Sequence, residues 1–96
     1  MGFAKDPIEL SRTKKMSKEE VALALREDLQ AELDAANLYL EQAALVDEEE
    51  VKKTLLEIAE EEKVHFGEFL TLLKRYDQEL DSAISKGEKE VSEKSK

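Results

Sequence analysis

From Ser17 to Tyr76 the chain runs sixty residues with no proline and a single glycine, Gly67. Apolar side chains recur every three or four positions through the whole stretch, which is the period of an α-helix and not of a strand. One place interrupts the rhythm, Val46-Asp47-Glu48. Ser17 followed by Glu20 is a capping-box pattern, so the spacing predicts a first helix from about Lys18 to about Val46. Asp47 with Glu50 repeats the capping logic, and Glu48, Glu49 and Glu50 suit the positive end of a new helix dipole, predicting a second helix from about Glu48 to about Tyr76. With a residue or two between them, the helices must fold back as an antiparallel hairpin. Leu80 and Ile84 suggest a short third helix over Gln78 to Ser85, stopped by Gly87. The expected organisation is all-α: an irregular N-terminal arm over residues 1–16, a helical hairpin with a short third helix over 17–85, and a polar tail or linker over 86–96.

Composition narrows the function classes. Hydrophobic and charged residues each make up 41% of the 96 residues, as in helical bundles and coiled coils. Without cysteine there is no disulfide framework, thiol nucleophile or cysteine zinc site. No apolar run approaches the length of a membrane span, and no hydrophobic signal core opens the chain, so a cytoplasmic setting is expected. A net charge of −9 makes nucleic acid an unfit partner and attracts cations instead. The excess acid belongs to residues 17–76, where the predicted hairpin lies.

Within that hairpin, EIAEEEKVHF (residues 57–66) holds the only histidine of the chain. At 100° per residue, Val51, Leu55, Ile58, Phe66, Phe69, Leu73 and Tyr76 fall within about 40° of Glu62, and His65 lies about 60° away on the same side. Val21, Leu25, Ala36, Tyr39 and Ala43 surround Glu32 on the first helix, whereas Asp34 and Glu41 point elsewhere. Glu32 and Glu62 thus sit in the middle of the two stripes expected to face the core. If the hairpin turns near residue 47, both lie 15 residues from the turn and come level, roughly 22 Å from it, with His65 just under one turn further on.

Ionised carboxylates in an apolar layer cost several kcal/mol unless protonated, paired or metal-bound. No lysine or arginine on either stripe is placed to pair with them. A glutamate facing a Glu-x-x-His pair is half of a four-helix di-iron site, which takes two of each. A two-fold symmetric dimer would complete both core and site, giving a four-helix bundle whose four carboxylates balance two divalent ions. Oxygen and imidazole donors suit iron or manganese, and the sequence does not exclude zinc. Glu60 and Glu61 read as a solvated face, and Glu48 to Glu50 as complements to the helix dipole.

AELDAANLYLEQA (residues 31–43) and EIAEEEKVHFGEFL (57–70) resemble the encapsulated ferritins, half-size ferritin-like proteins held inside or fused to encapsulin nanocompartments. The resemblance covers the hairpin, about two thirds of the chain, and the single E…ExxH repeat is its most specific part. It implies a ferroxidase that oxidises Fe²⁺ with dioxygen at a di-iron site between two subunits. It also implies a homodimer assembling into a ring, a decamer in the family, that stores mineral only within the surrounding encapsulin shell. Glu32, Glu62 and His65 match the family's metal ligands, and Tyr39 matches a tyrosine beside the centre. Some members carry flanking glutamates where this chain has Ala31 and Asp34, and a tryptophan where it has Leu38, so Asp34 is the one remnant of a secondary metal site. The short apolar-basic peptide that targets cargo to the shell is absent. GEKEVSEKSK reads instead as a linker, as in a domain excised from a longer shell fusion. Two other classes stay open: a rubrerythrin-like di-metal enzyme that reduces peroxide, and a structural dimerisation hairpin in which Glu62 and His65 only set the register.

Overall fold

The computed structural model describes residues 14–95 and contains three helices: α1 (Lys18–Leu45), α2 (Glu49–Tyr76) and α3 (Gln78–Lys94). The expected arm over 1–16 falls almost wholly outside the described residues. Ser17 caps α1 as anticipated. Its hydroxyl accepts from the Glu20 amide at 3.2 Å, and the Glu20 carboxylate accepts from the Ser17 amide at 3.0 Å. The start of α2 differs from expectation. Its N-cap is Glu48, in extended conformation and without a side-chain cap, so Asp47 does not serve that role. Glu49 and Glu50 in the first turn answer the dipole instead.

Val46, Asp47 and Glu48 join α1 to α2, and the two 28-residue helices pack along one another as the predicted hairpin. Four of the buried residues are alanines, Ala22, Ala36, Ala43 and Ala59. Small side chains let helix axes approach closely. Larger residues close the end away from the loop, where Ala22, Leu25 and Leu73 form a cluster joined by Val21, Leu29, Phe69 and Leu80.

That cluster is the limit of what one chain buries. Of the α2 stripe expected to face a core, Leu73 is fully enclosed, Leu55, Ile58, Phe66 and Phe69 are half-buried, and Val51 and Tyr76 are exposed. The helical period was legible, but two helices supply too little surface to cover a stripe that wide.

α3 does not stop at Ser85. It runs through Gly87 to Lys94, although residues 85–95 are exposed along their whole length. An internal glycine costs a helix about 1 kcal/mol. Lys86–Glu90, Lys89–Glu93 and Glu90–Lys94 stand at i,i+4, where opposite charges return about 0.2–0.5 kcal/mol per pair, and Lys94 lies in the negative last turn. A single glycine is therefore a weak stop signal in a segment of strong helix formers.

Asp77 sets the corner between α2 and α3. One carboxylate oxygen accepts from the Leu80 amide at 2.9 Å, capping α3, and the other takes the Arg26 guanidinium of α1 at 2.8 Å. Replacing Asp77 by alanine removes a cap and an ion pair together, whereas Arg26→Ala removes a partly exposed pair. Urea denaturation should show a loss of about 1–2 kcal/mol for Asp77→Ala and under about 1 kcal/mol for Arg26→Ala. Asp77→Asn, which keeps the cap, should fall near Arg26→Ala, and equal losses for all three would show that the cap contributes nothing.

Candidate metal centre

The hairpin register brings Glu32 of α1 level with Glu62 of α2, and His65 follows one turn along. His65 Nδ1 stands 3.4 Å from Glu32 Oε2 and 3.8 Å from Glu62 Oε1. One donor atom from each of the three residues lies within 4.8 Å of the others, and among the described residues no other such group of acids and histidine forms. The two carboxylate side chains are mostly covered, at 17% and 19% exposure, while His65 keeps 44%. The group thus opens to solvent on its imidazole side.

Glu32 Oε2 is the atom that needs explaining. It is fully buried and accepts no hydrogen bond. Nδ1 at 3.4 Å is too long for the charge-assisted bond of about 2.7–2.9 Å that would satisfy a carboxylate. Burial pushes the Glu32 carboxyl above its ordinary range, the neighbouring Glu62 carboxylate pushes the same way, and His65 opposes both. An unsatisfied buried polar atom is destabilising, so such atoms tend to mark a missing partner.

The donor set suits a cation. Two donors bonded to one first-row ion at about 2.1 Å each stand about 3.0–4.2 Å apart for bond angles between right and straight. The 3.4 and 3.8 Å separations lie inside that window. Two carboxylates and a neutral imidazole also carry the charge that balances one divalent ion.

Other acidic residues stay apart. Glu60 is exposed and faces Lys63 at 3.7 Å, and Glu61 and Asp34 are exposed. Tyr39 is half-buried on α1, two turns from Glu32 on the loop side. Sequence reasoning missed the Arg26–Asp77 pair, because two residues 51 positions apart on different helices share no periodic signal.

A family model described as Rubrerythrin matches residues 24–96. The chain belongs to the rubrerythrin family. Ferritin-like and rubrerythrin-family proteins are typically iron-binding redox metalloproteins. A ferritin-like–encapsulin shell fusion protein of Pyrococcus furiosus is 43% identical over 88 residues, which is 92% of this chain and 26% of that protein. An encapsulin nanocompartment cargo protein, EncC, of Myxococcus xanthus is 38% identical over 66 residues, 69% of this chain and 51% of that one. The chain spans about a quarter of the first relative and about half of the second. Its fold matches the crystal structure of the encapsulated ferritin domain from Pyrococcus furiosus with a TM-score of 0.89 at 42% identity, covering 96% of this chain and 94% of that one. The resemblance carried by residues 31–43 and 57–70 therefore extends along nearly the whole rubrerythrin-family chain.

The raised Glu32 carboxyl has a measurable consequence. The folded chain takes up the Glu32 proton at higher pH than the unfolded chain, so lowering the pH favours the folded state in this window. Metal-free protein held in chelator should resist urea better as pH falls from neutral toward the ordinary carboxylate range. Glu32→Gln, which cannot ionise, should flatten that slope. Equal slopes in both proteins would show that burial of Glu32 carries no energetic penalty.

Proposed function

We propose that the protein is a ferroxidase whose di-iron site forms between two copies of the chain, feeding iron into storage within an encapsulin shell. The observation that carries this reading is the convergence of Glu32, Glu62 and His65 on one point, with Glu32 Oε2 buried and unpartnered. Support for the partner copy comes from the unfinished packing around it. Leu55, Ile58, Phe66 and Phe69 share the stripe of Glu62 and are half-buried, and a two-fold axis beside this stripe would cover them while doubling the ligand set. The shell is supported by the names of both relatives, one a shell fusion and the other a nanocompartment cargo protein. A ring of dimers, decameric as in the resembled family, and a location inside a nanocompartment in the cytoplasm belong to the same reading.

Fe²⁺ is the substrate. Two ions each lose one electron, and dioxygen with two protons becomes hydrogen peroxide. The chain's residues hold and balance the charge of that reaction. Glu32 and Glu62 supply hard anionic oxygens, which favour the ferric product over the ferrous substrate and so lower the cost of electron loss. His65 offers a neutral nitrogen and must release any Nδ1 proton before it binds. Its exposed edge gives ions and dioxygen a way in. Tyr39, two turns along α1, is proposed to line the completed site rather than to bind metal.

The Rubrerythrin match favours one second reading, the same di-metal site with peroxide as oxidant. Stopped-flow oxidation of bound Fe²⁺ by dioxygen and by hydrogen peroxide at equal concentrations separates the two. Faster reaction with dioxygen supports ferroxidase, and reaction with peroxide alone overturns it.

The site assignment is tested by position along one helix. Glu32→Ala, Glu62→Ala and His65→Ala should each abolish most rapid Fe²⁺ oxidation, since symmetry repeats every loss. Glu60→Ala and Glu61→Ala, one or two residues away on the exposed face, should keep most of it. Equal rates for Glu62→Ala and Glu60→Ala under the same iron loading would end the reading.

Assembly should answer to metal. Four carboxylates meet in the metal-free dimer, and divalent ions remove that repulsion. Mass measurements at matched protein concentration should show more large oligomer after Fe²⁺ is added, and a distribution unchanged over a wide range of iron would show that ions do not tighten the interface.

A further inference from the structure

We propose that the outer face of α2 is a docking groove for the chain's own N-terminal segment, residues 1–13, whose Phe3, Ile8 and Leu10 seat against Val64 and Leu72 across Gly67. The groove stands apart from the candidate metal centre. At 100° per residue Val64, Gly67 and Thr71 lie about 140–180° around α2 from Glu62, on the opposite side of the helix.

Val64, Gly67, Glu68, Thr71 and Leu72 line a concavity of about 450 Å³ on that face. Val64 is 58% exposed and Leu72 40%, so both present apolar surface to water. Gly67 makes the dent between them. Glycine weakens the interior of a helix, because it gives up the most backbone freedom on folding. The chain's own packing does not require it here, since a Cβ at this position would meet no atom within 4 Å. A glycine that costs helix stability and relieves no contact in its own chain suits the close approach of another segment to the helix backbone. The Thr71 hydroxyl donates to the Gly67 carbonyl at 2.8 Å, so that donor is already occupied.

Reach and charge single out residues 1–13. The described structure begins at Lys14, and α1 starts beside the C-terminal end of α2, where Ala22 and Leu25 meet Leu73. Gly67 lies nine residues back from Tyr76, about 14 Å along the axis, and passing round α2 adds about one helix diameter of 10–12 Å. Thirteen extended residues reach at most about 43–47 Å. That length arrives at the groove with chain to spare. Residues 1–16 carry four bases and two acids. Along the groove, Glu57, Glu61 and Glu68 share the stripe of Val64, all within about 60° of one another. Lys5 and Arg12 bracket Ile8 and Leu10, so one segment supplies apolar cover for Val64 and Leu72 and cations for the acidic edge.

The chain contains no tryptophan, so Phe3→Trp in the full chain places a single reporter in the segment. Its emission and its quenching by acrylamide are compared with a peptide of residues 1–13 carrying the same substitution. The expected result is blue-shifted emission and several-fold weaker quenching in the full chain, unchanged on dilution. Adding Gly67→Leu, which fills the groove, should return both readings to those of the peptide while circular dichroism shows helix content kept or raised. Glu61→Lys with Glu68→Lys, which leaves Gly67 in place, should weaken the protection in the same direction. Peptide-like emission in the otherwise unaltered chain would overturn the proposal. Protection that survives Gly67→Leu would overturn it too, by placing the segment elsewhere. Protection lost on dilution would overturn it by assigning the groove to a second copy's segment. Because the groove faces away from Glu62, each of these failures leaves the ferroxidase reading standing.

Discussion

The structure turns on a carboxylate in the wrong solvent. Glu32 sits inside a helical hairpin with one oxygen buried and unpartnered, beside a second mostly covered carboxylate on the facing helix. A chain selected only for stability would place leucine there, since burying an apolar side chain stabilises and burying an unpaired acid does not. The two acids and the imidazole one turn away make sense together when a cation completes them.

The same region explains why the hairpin is an unfinished fold. Its firmest packing lies at the end away from the loop, where Leu25 and Leu73 meet Leu80 of α3. Around the carboxylates the buried contacts come from alanines, and the large side chains of the same stripe are half-covered. Small residues bring the helices close enough for short acidic side chains to converge, and they bury little area in doing so. Geometry for ligands and area for stability compete within one helix pair. A second copy of the chain would resolve the conflict by adding area without spreading the ligands.

At the far corner Asp77 joins three helices with one side chain, capping α3 while holding Arg26 of α1. The direction of α3 is thereby tied to the hairpin. From Ser85 onward α3 is exposed and is held by local helix preference.

Both long helices, their antiparallel pairing and the levelling of position 32 with position 62 were readable in the sequence. These depend on local periodicity and on the length of one short connection, and both are properties of neighbouring residues. Glu62 and His65 stood out for the same reason, three apart on an apolar face. Other features were decided only in three dimensions. Glu48 displaced Asp47 as the cap of α2, because a cap is chosen by backbone geometry at the turn and several acids there were equivalent by type. α3 ran through Gly87, because one modest glycine penalty does not outweigh the helix preference of its neighbours. Arg26 met Asp77 across 51 positions, a contact no period encodes. The depth of each stripe's burial also waited on tertiary structure, since periodicity reports which side of a helix is apolar and not whether enough protein exists to cover it.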